Sequence, residues 1–213
     1  AEAIALRIAE AHGRALVAPP IPFGGADFFR GVPGGIALST ATLTALLREA
    51  LEALVEGGAR RILIINGHGG NIPAVEEAQR GLRVSRGLIA PVLHLWKNAG
   101  GWQQALGGDP AALGHGGDPV ASVALHLRPD LCAPERLAPR EVQPPFLGLP
   151  VSGFGTLAAG GAEFGVPLNL DEIAPGGTQA ADPRGANAAH GARIVERLVQ
   201  AGWAMLGALE NTP

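Results

Sequence analysis

The stretch Arg61-Ile62-Leu63-Ile64-Ile65-Asn66-Gly67-His68-Gly69-Gly70-Asn71-Ile72 decides how this chain is read. Residues 61–65 have the length and β-branched content of a buried strand, and from Ile72 to Val84 apolar residues recur at helical spacing. One imidazole, His68, therefore stands where a strand ends and a helix begins. In an open parallel α/β sheet ligands bind at that carboxyl end. Glycines on both sides of His68 remove side-chain bulk, so a metal ion or substrate can approach closely. The competing readings are a plain turn with Asn71 capping the helix, or backbone amides cradling a phosphate. The glycines match neither the Gly-Lys-Ser/Thr ending of a P-loop nor the dinucleotide fingerprint, which favours a histidine that faces a metal or substrate.

Outward from this loop, Leu88 to Trp96 reads as a second apolar strand, interrupted by Pro91. It completes a strand-helix-strand crossover that should be parallel. Upstream, Ser39 or Thr40 caps a helix to about Glu56, with Leu43, Leu46, Leu47, Leu51, Leu54 and Val55 at helical spacing and Gly57-Gly58 as its stop. Ala1 to Ala11 reads as an uncapped helix ended by Gly13, and Ala15 to Ala18 as a short buried strand before Pro19, Pro20 and Pro22. Downstream, Asp118 caps a helix through Leu127, with Pro119 in the first position, and Pro129 closes it. Pro134 to Gly177 is rich in proline and glycine without periodicity, too long for an idle connection, and is expected to make oligomer contacts or cover the site. A last helix from Pro183 to Leu209 would pack Ile194, Leu198, Val199 and Met205 against the core. The expectation is one α/β domain over residues 1–213, a three-layer, mostly parallel sheet flanked by helices.

Composition narrows the function classes. With 213 residues, 47% hydrophobic and 16% charged, the chain can bury a core of its own. A net charge of -3 without a basic cluster gives no footprint for nucleic acid or an anionic membrane surface. Apolar runs fall short of the roughly 20 residues that cross a bilayer, and no export signal is evident, so a cytoplasmic protein is expected. Cys132 is the sole cysteine, which excludes an intrachain disulfide and a thiolate metal cluster.

Among the other histidines, Gly114-His115-Gly116-Gly117-Asp118 is a second glycine-flanked imidazole, three residues ahead of a carboxylate at a helix start. Both side chains could face one cavity, or Asp118 could serve the helix dipole alone. His94 reads as a hydrogen-bonded strand residue, His126 and His190 as surface or interhelix residues, and His12 as a helix-end residue. No GxSxG elbow supports a serine triad. Metal-assisted hydrolysis remains, in which an ion activates water and polarises a carbonyl. It needs three or more ligands, more than this chain offers in clear positions.

Asn66 to Asn71, preceded by its apolar strand, resembles the NGHGGN signature of the creatininase (creatinine amidohydrolase) family. Three further segments match in order. Pro19-Pro20-Ile21-Pro22-Phe23-Gly24 through Pro33-Gly34 resembles the family's PPxPYG...FPGT stretch, Gly114 to Ser122 its HAGxxETS stretch, and Gly177 with Ala181 to Gly191 its GxxGDPxxATxEKG stretch. The resemblance implies a creatininase-like α/β fold and hydrolysis of an amide, lactam or formamide C–N bond by a metal-activated hydroxide. It implies a divalent metal (Zn, Mn or Fe), a small-molecule amide substrate and a homo-oligomer, commonly a hexamer. By the same resemblance His68 and Asp118 would be metal ligands. His115 would be the catalytic residue that orients the substrate or hands a proton to the leaving nitrogen, and Gly69, Gly70, Asn71 and Trp96 would line the substrate.

The sequence departs from the family's pattern at defined points. The ExHGxHLPxxTD segment that supplies further ligands upstream of the first helix has no counterpart, so the chain is expected to be N-terminally truncated relative to the family. Gly70 stands where creatininase proper has a glutamate ligand, which argues against creatinine as substrate. In the second motif Asp118 replaces the first glutamate, and Val120-Ala121 a Glu-Thr pair. The alternative is a creatininase-fold assembly or small-anion-binding protein without catalysis.

Overall fold

The computed structural model describes residues 1–29, 31–137, 139, 143–174, 176–179 and 181–211. The chain divides into two compact units, one of residues 1–27, 36–98 and 195–213, the other of residues 28–35 and 99–194.

The first unit carries the strand-helix-strand crossover. Strands β1 (Ile64–Asn66) and β2 (Val92–His94) pair in parallel, with Asn66 opposite His94 at their carboxyl ends. Between them runs α3 (Ile72–Arg86), ended by Gly87 in a left-handed conformation. It packs on α2 (Thr40–Glu56), whose N-cap Ser39 accepts a hydrogen bond from the Thr42 amide. Leu51 and Val55 of α2, Ala78 and Leu82 of α3, and Ala90 form the buried core, with Ile62, Ile64 and Leu88 against it. Helix α1 (Glu2–His12) buries Ile4 and Ile8. A Cβ placed on Gly202 would fall 2.3 Å from the end of the Ile8 side chain, so the absence of a side chain lets α1 lie close on α7 (Ala188–Glu210).

Three expectations change in this unit. The strand at Ala15–Ala18 does not form, and Leu16 is fully exposed. An apolar run becomes a strand only where a neighbour completes its hydrogen-bond ladder, and among the described residues β1 and β2 pair only with each other. Both paired strands are shorter than their apolar runs for the same reason, and α4 (Leu95–Trp102) begins where the second strand was expected to continue. On α7 the buried stripe is Ile194, Val195 and Leu198, while Met205 is exposed.

The second unit holds α5 (Val120–Leu127), α6 (Leu170–Ile173) and the first turns of α7, where the Asn187 side chain caps the helix by accepting from the His190 amide. Residues 134–177, expected to be irregular, contain a three-stranded antiparallel sheet. It consists of β3 (Val151–Gly153), β4 (Thr156–Ala159) and β5 (Ala162–Gly165), in the order β3-β4-β5. Positions 138, 140–142 and 175 of that segment lie outside the described residues. Strands of three or four residues are too short for periodicity to reveal. Their signal is the turn: Gly160 and Gly161, both at positive φ, close the β4–β5 hairpin between Ala159 and Ala162. Leu157, Leu168 and Ile173 form this unit's core. Among the described residues no helix is long and apolar enough to cross a membrane.

Candidate functional site

In the first unit the chain leaves β1 at Asn66, passes extended through His68 and turns through a 3-10 helix, Gly69–Asn71, into α3. The Asn66 side chain, almost wholly buried, holds this loop with both ends of its amide. Its nitrogen donates to the His68 carbonyl at 2.9 Å and to His94 Nδ1 at 2.9 Å. Its oxygen accepts from the His68 amide at 3.2 Å and from Asn71 Nδ2 at 3.1 Å. The backbone partners fix which end is oxygen, so the His94 Nδ1 that faces the amide nitrogen is an acceptor.

Asn71 does not cap α3. Its oxygen accepts from the Gly25 amide at 2.9 Å and thereby ties the proline-rich segment to the loop. That contact requires glycine: a Cβ on Gly24 would lie 2.4 Å from Asn71 Oδ1, and one on Gly25 2.9 Å from the Gly70 carbonyl. Trp96 closes another side by donating from Nε1 to the Gly67 carbonyl at 2.5 Å. Gly69 is exposed, with open space where a side chain would be.

Burial lowers the pKa of His68, with a backbone hydrogen bond to Gly25 opposing it. Burial also lowers that of His94, where Glu76 pulls upward and Lys97 downward. Both rings are thus held neutral in the folded chain below the usual value of 6.5. Because the unfolded chain binds these protons more readily, the stability they protect is present above pH 6.5 and is lost as pH falls through the lowered folded values. The urea midpoint is therefore expected to fall between roughly pH 7 and pH 5. His94→Gln should flatten that slope, and a variant with an unchanged slope would contradict the assignment.

In the second unit His115 sits at the tip of a loop pinched shut at Leu113 and Asp118. The Gly114 amide donates to the Asp118 carbonyl at 3.1 Å, and the Asp118 amide to Ala112 at 2.7 Å. The loop lies flat on residues 177–179: the Gln179 amide donates to the His115 carbonyl, and a Cβ on Gly116, itself at positive φ, would strike the Gly177 carbonyl. The His115 ring lies 5.6 Å from the Phe29 ring and 5.2 Å from that of Phe154.

The Asp118 side chain turns into the unit. Oδ1 accepts from the Ser122 hydroxyl at 2.5 Å and amide at 3.2 Å, while Oδ2 lies 3.5 Å from Gln103 Nε2 and 3.5 Å from His190 Nε2. Gln103, Asp118, Ser122 and His190 are all buried to within 1%. His190, expected at a surface or between helices, thus belongs to a buried polar cluster, and its Nδ1 faces the Leu106 carbonyl at 3.3 Å. A cap at Asp118 was legible in the sequence; the partners that come from residues 103 and 190 were not.

The first unit holds His68, Gly69, Gly70, Asn71 and Trp96 around one loop, together with Asn66 and His94. The signal for these two lay in register, since parallel pairing of the apolar runs sets Asn66 opposite His94. His115 and Asp118 share the second unit, on opposite sides of their loop. No group of three or more His, Cys, Asp or Glu side chains able to hold a metal ion occurs among the described residues. A complete ion site does not fit what they supply.

The creatininase family, described as creatinine amidohydrolase, matches residues 1–206. The mycofactocin precursor peptide peptidase of Mycolicibacterium smegmatis (strain ATCC 700084 / mc(2)155) is 30% identical over 191 residues, 90% of this chain and 66% of that protein. The chain thus spans a little under two thirds of that peptidase's length. The creatinine amidohydrolase of Pseudomonas putida is 32% identical over 182 residues, 74% of this chain and 67% of that protein. A crystal structure of creatininase superposes with a TM-score of 0.73 at 27% identity, covering 100% of this chain and 81% of the other. Similar solved structures include a Mn creatininase and a Zn-Zn type creatininase mutant. The α/β architecture is therefore that of the creatininases.

Proposed function

The chain belongs to the creatininase family, and from that premise we propose that it is an amidohydrolase cleaving the C–N bond of an amide, lactam or formamide with the aid of a divalent metal ion. The observation that carries the reading is the Asn66 amide, which grips the His68 backbone with two hydrogen bonds at the carboxyl tip of a parallel strand and ties it to His94 and Asn71 with two more. That scaffold fixes the His68 backbone, and the ring itself is hydrogen-bonded to the Gly25 backbone, the kind of support a ligand or catalytic imidazole needs. Burial keeps the ring neutral, the form that offers a lone pair.

Zinc, manganese and iron are the ions the proposal admits, and bound to such a site they would polarise the carbonyl under attack. His68 is the donor the first loop presents. Because the described residues gather no full donor set, the chain by itself should hold the ion weakly. Asp118 belongs, in this reading, to the internal frame of the His115 loop, since hydroxyl, amide and imidazole partners surround its oxygens. His115 orients the substrate or passes a proton to the leaving nitrogen. Gly69, Gly70, Asn71 and Trp96 line the approach to His68. The continuous match over residues 1–206 supports one creatininase domain built from both units, and a homo-oligomer, a hexamer by resemblance, completes the proposal.

The incomplete donor set favours a second reading, a binding protein that holds a small anion on the loop amides without turnover. Metal analysis and an amide panel separate the two. The purified chain should retain no tightly held ion, and C–N cleavage, read as ammonia from an N-acyl peptide amide, ring opening of a lactam or amine from a formamide, should rise with added Zn or Mn and stop with chelator. Two tightly held ions per chain would overturn the weak-binding expectation. Saturating metal without hydrolysis of any member would leave the anion-binding reading.

A further inference from the structure

We propose that the aromatic wall beside His115, made of Phe28, Phe29 and Phe154, is a binding site for an apolar side chain that an amide ligand carries next to its C–N bond. The chemical class of the ligand rests on the amidohydrolase reading; the wall itself does not. Phe28 and Phe29 come from one short segment, and Phe154 from the tip of the β3–β4 turn, followed by Gly155 at φ 89°. The rings close a circuit with His115: Phe28 to Phe29 4.9 Å, Phe29 to His115 5.6 Å, His115 to Phe154 5.2 Å and Phe154 to Phe28 4.9 Å.

These separations are those of rings in mutual contact, so the circuit has no interior room. A cation caged between ring faces is thereby excluded, and a ligand must lie on the outer surface. Part of that surface meets solvent: Phe154 is 41% exposed and Phe28 and Phe29 are half-buried, outside the buried cluster of Leu157, Leu168 and Ile173. Apolar ring surface left in water is stabilised by whatever apolar group covers it. A polar group covering it would lose its own water without a replacement partner. The selection is therefore for an apolar neighbour of the amide, with His115 at the edge of the wall where the amide itself would lie.

Two probes of nearly equal size test this, N-acetyl-L-leucinamide and N-acetyl-L-asparaginamide, titrated against the labelled chain while the ring signals of His115 are followed by NMR. The leucine amide should shift those signals at a concentration about tenfold or more below that needed for the asparagine amide. Phe154→Ala should erase the preference. Phe28→Ala, in a different segment, is the second variant, and the backbone amide spectrum of each reports whether it remains folded. Equal shifts from both probes, or an undiminished leucine preference in both folded variants, would overturn the site. Binding is read without turnover, so the two ideas fail separately. Leucine amide bound at His115 in a chain that hydrolyses no amide removes the enzyme reading and keeps the wall, and hydrolysis without any leucine preference does the reverse.

Discussion

Asp118→Ala is expected to lower the free energy of unfolding by about 3–5 kcal/mol, since it leaves several buried polar groups without their acceptor at about 1–3 kcal/mol each. The Asp118 side chain accepts from three donor atoms and lies 3.5 Å from His190 Nε2, in a space that water does not reach. Its loss strips the Ser122 hydroxyl and amide of their acceptor and leaves Gln103 and the His190 ring beside a void. The ring has nowhere to turn. Its other nitrogen already faces the Leu106 carbonyl, and a Cβ on the neighbouring Gly108 would stand only 2.6 Å from Nε2. Asp118→Asn keeps the shape and one acceptor, and should cost less than the alanine. Urea unfolding of both variants checks the order and the size. A loss below about 1 kcal/mol for the alanine variant, the scale of an exposed ion pair, would mean that the cluster is not the frame it looks like.

His68→Ala should reduce metal-supported amide hydrolysis by about two to three orders of magnitude, the scale on which deleting one reacting-site group acts. The fold should survive loss of the ring and its hydrogen bond to the Gly25 backbone, because Asn66 and Asn71 still hold the loop through the His68 backbone. An anion cradled on backbone amides would bind the variant nearly as well as the parent. Activity retained within a few-fold, with a normal unfolding curve, would remove His68 from the reaction.

The loop and its helix were legible because a glycine-rich break between two periodic segments is a local signal: Ile72 does begin α3, and Ser39 does cap α2. The parallel pairing followed from the crossover length. What escaped the sequence was set by distant partners. Leu16 and Val17 look like a strand until one asks what would pair with them. His94 looks like a strand residue until register sets it against Asn66. His190 looks like one more helix histidine until residues 103, 118 and 122 close around it. Asn71 shows the limit most plainly. Its position suits a helix cap, yet its side chain is spent on Gly25, forty-six residues earlier in the chain.

The arrangement of Gly24, Gly25 and Trp96 around the first loop has a steric consequence. One flank of that loop is sealed by backbone packed on backbone and by an indole, while Gly69 opens the other. An amide that reached His68, as proposed, would find room past Gly69 and none past Gly24 and Gly25. The one-sidedness is set by Gly24 and Gly25, which let backbone close that flank, together with the Trp96 indole.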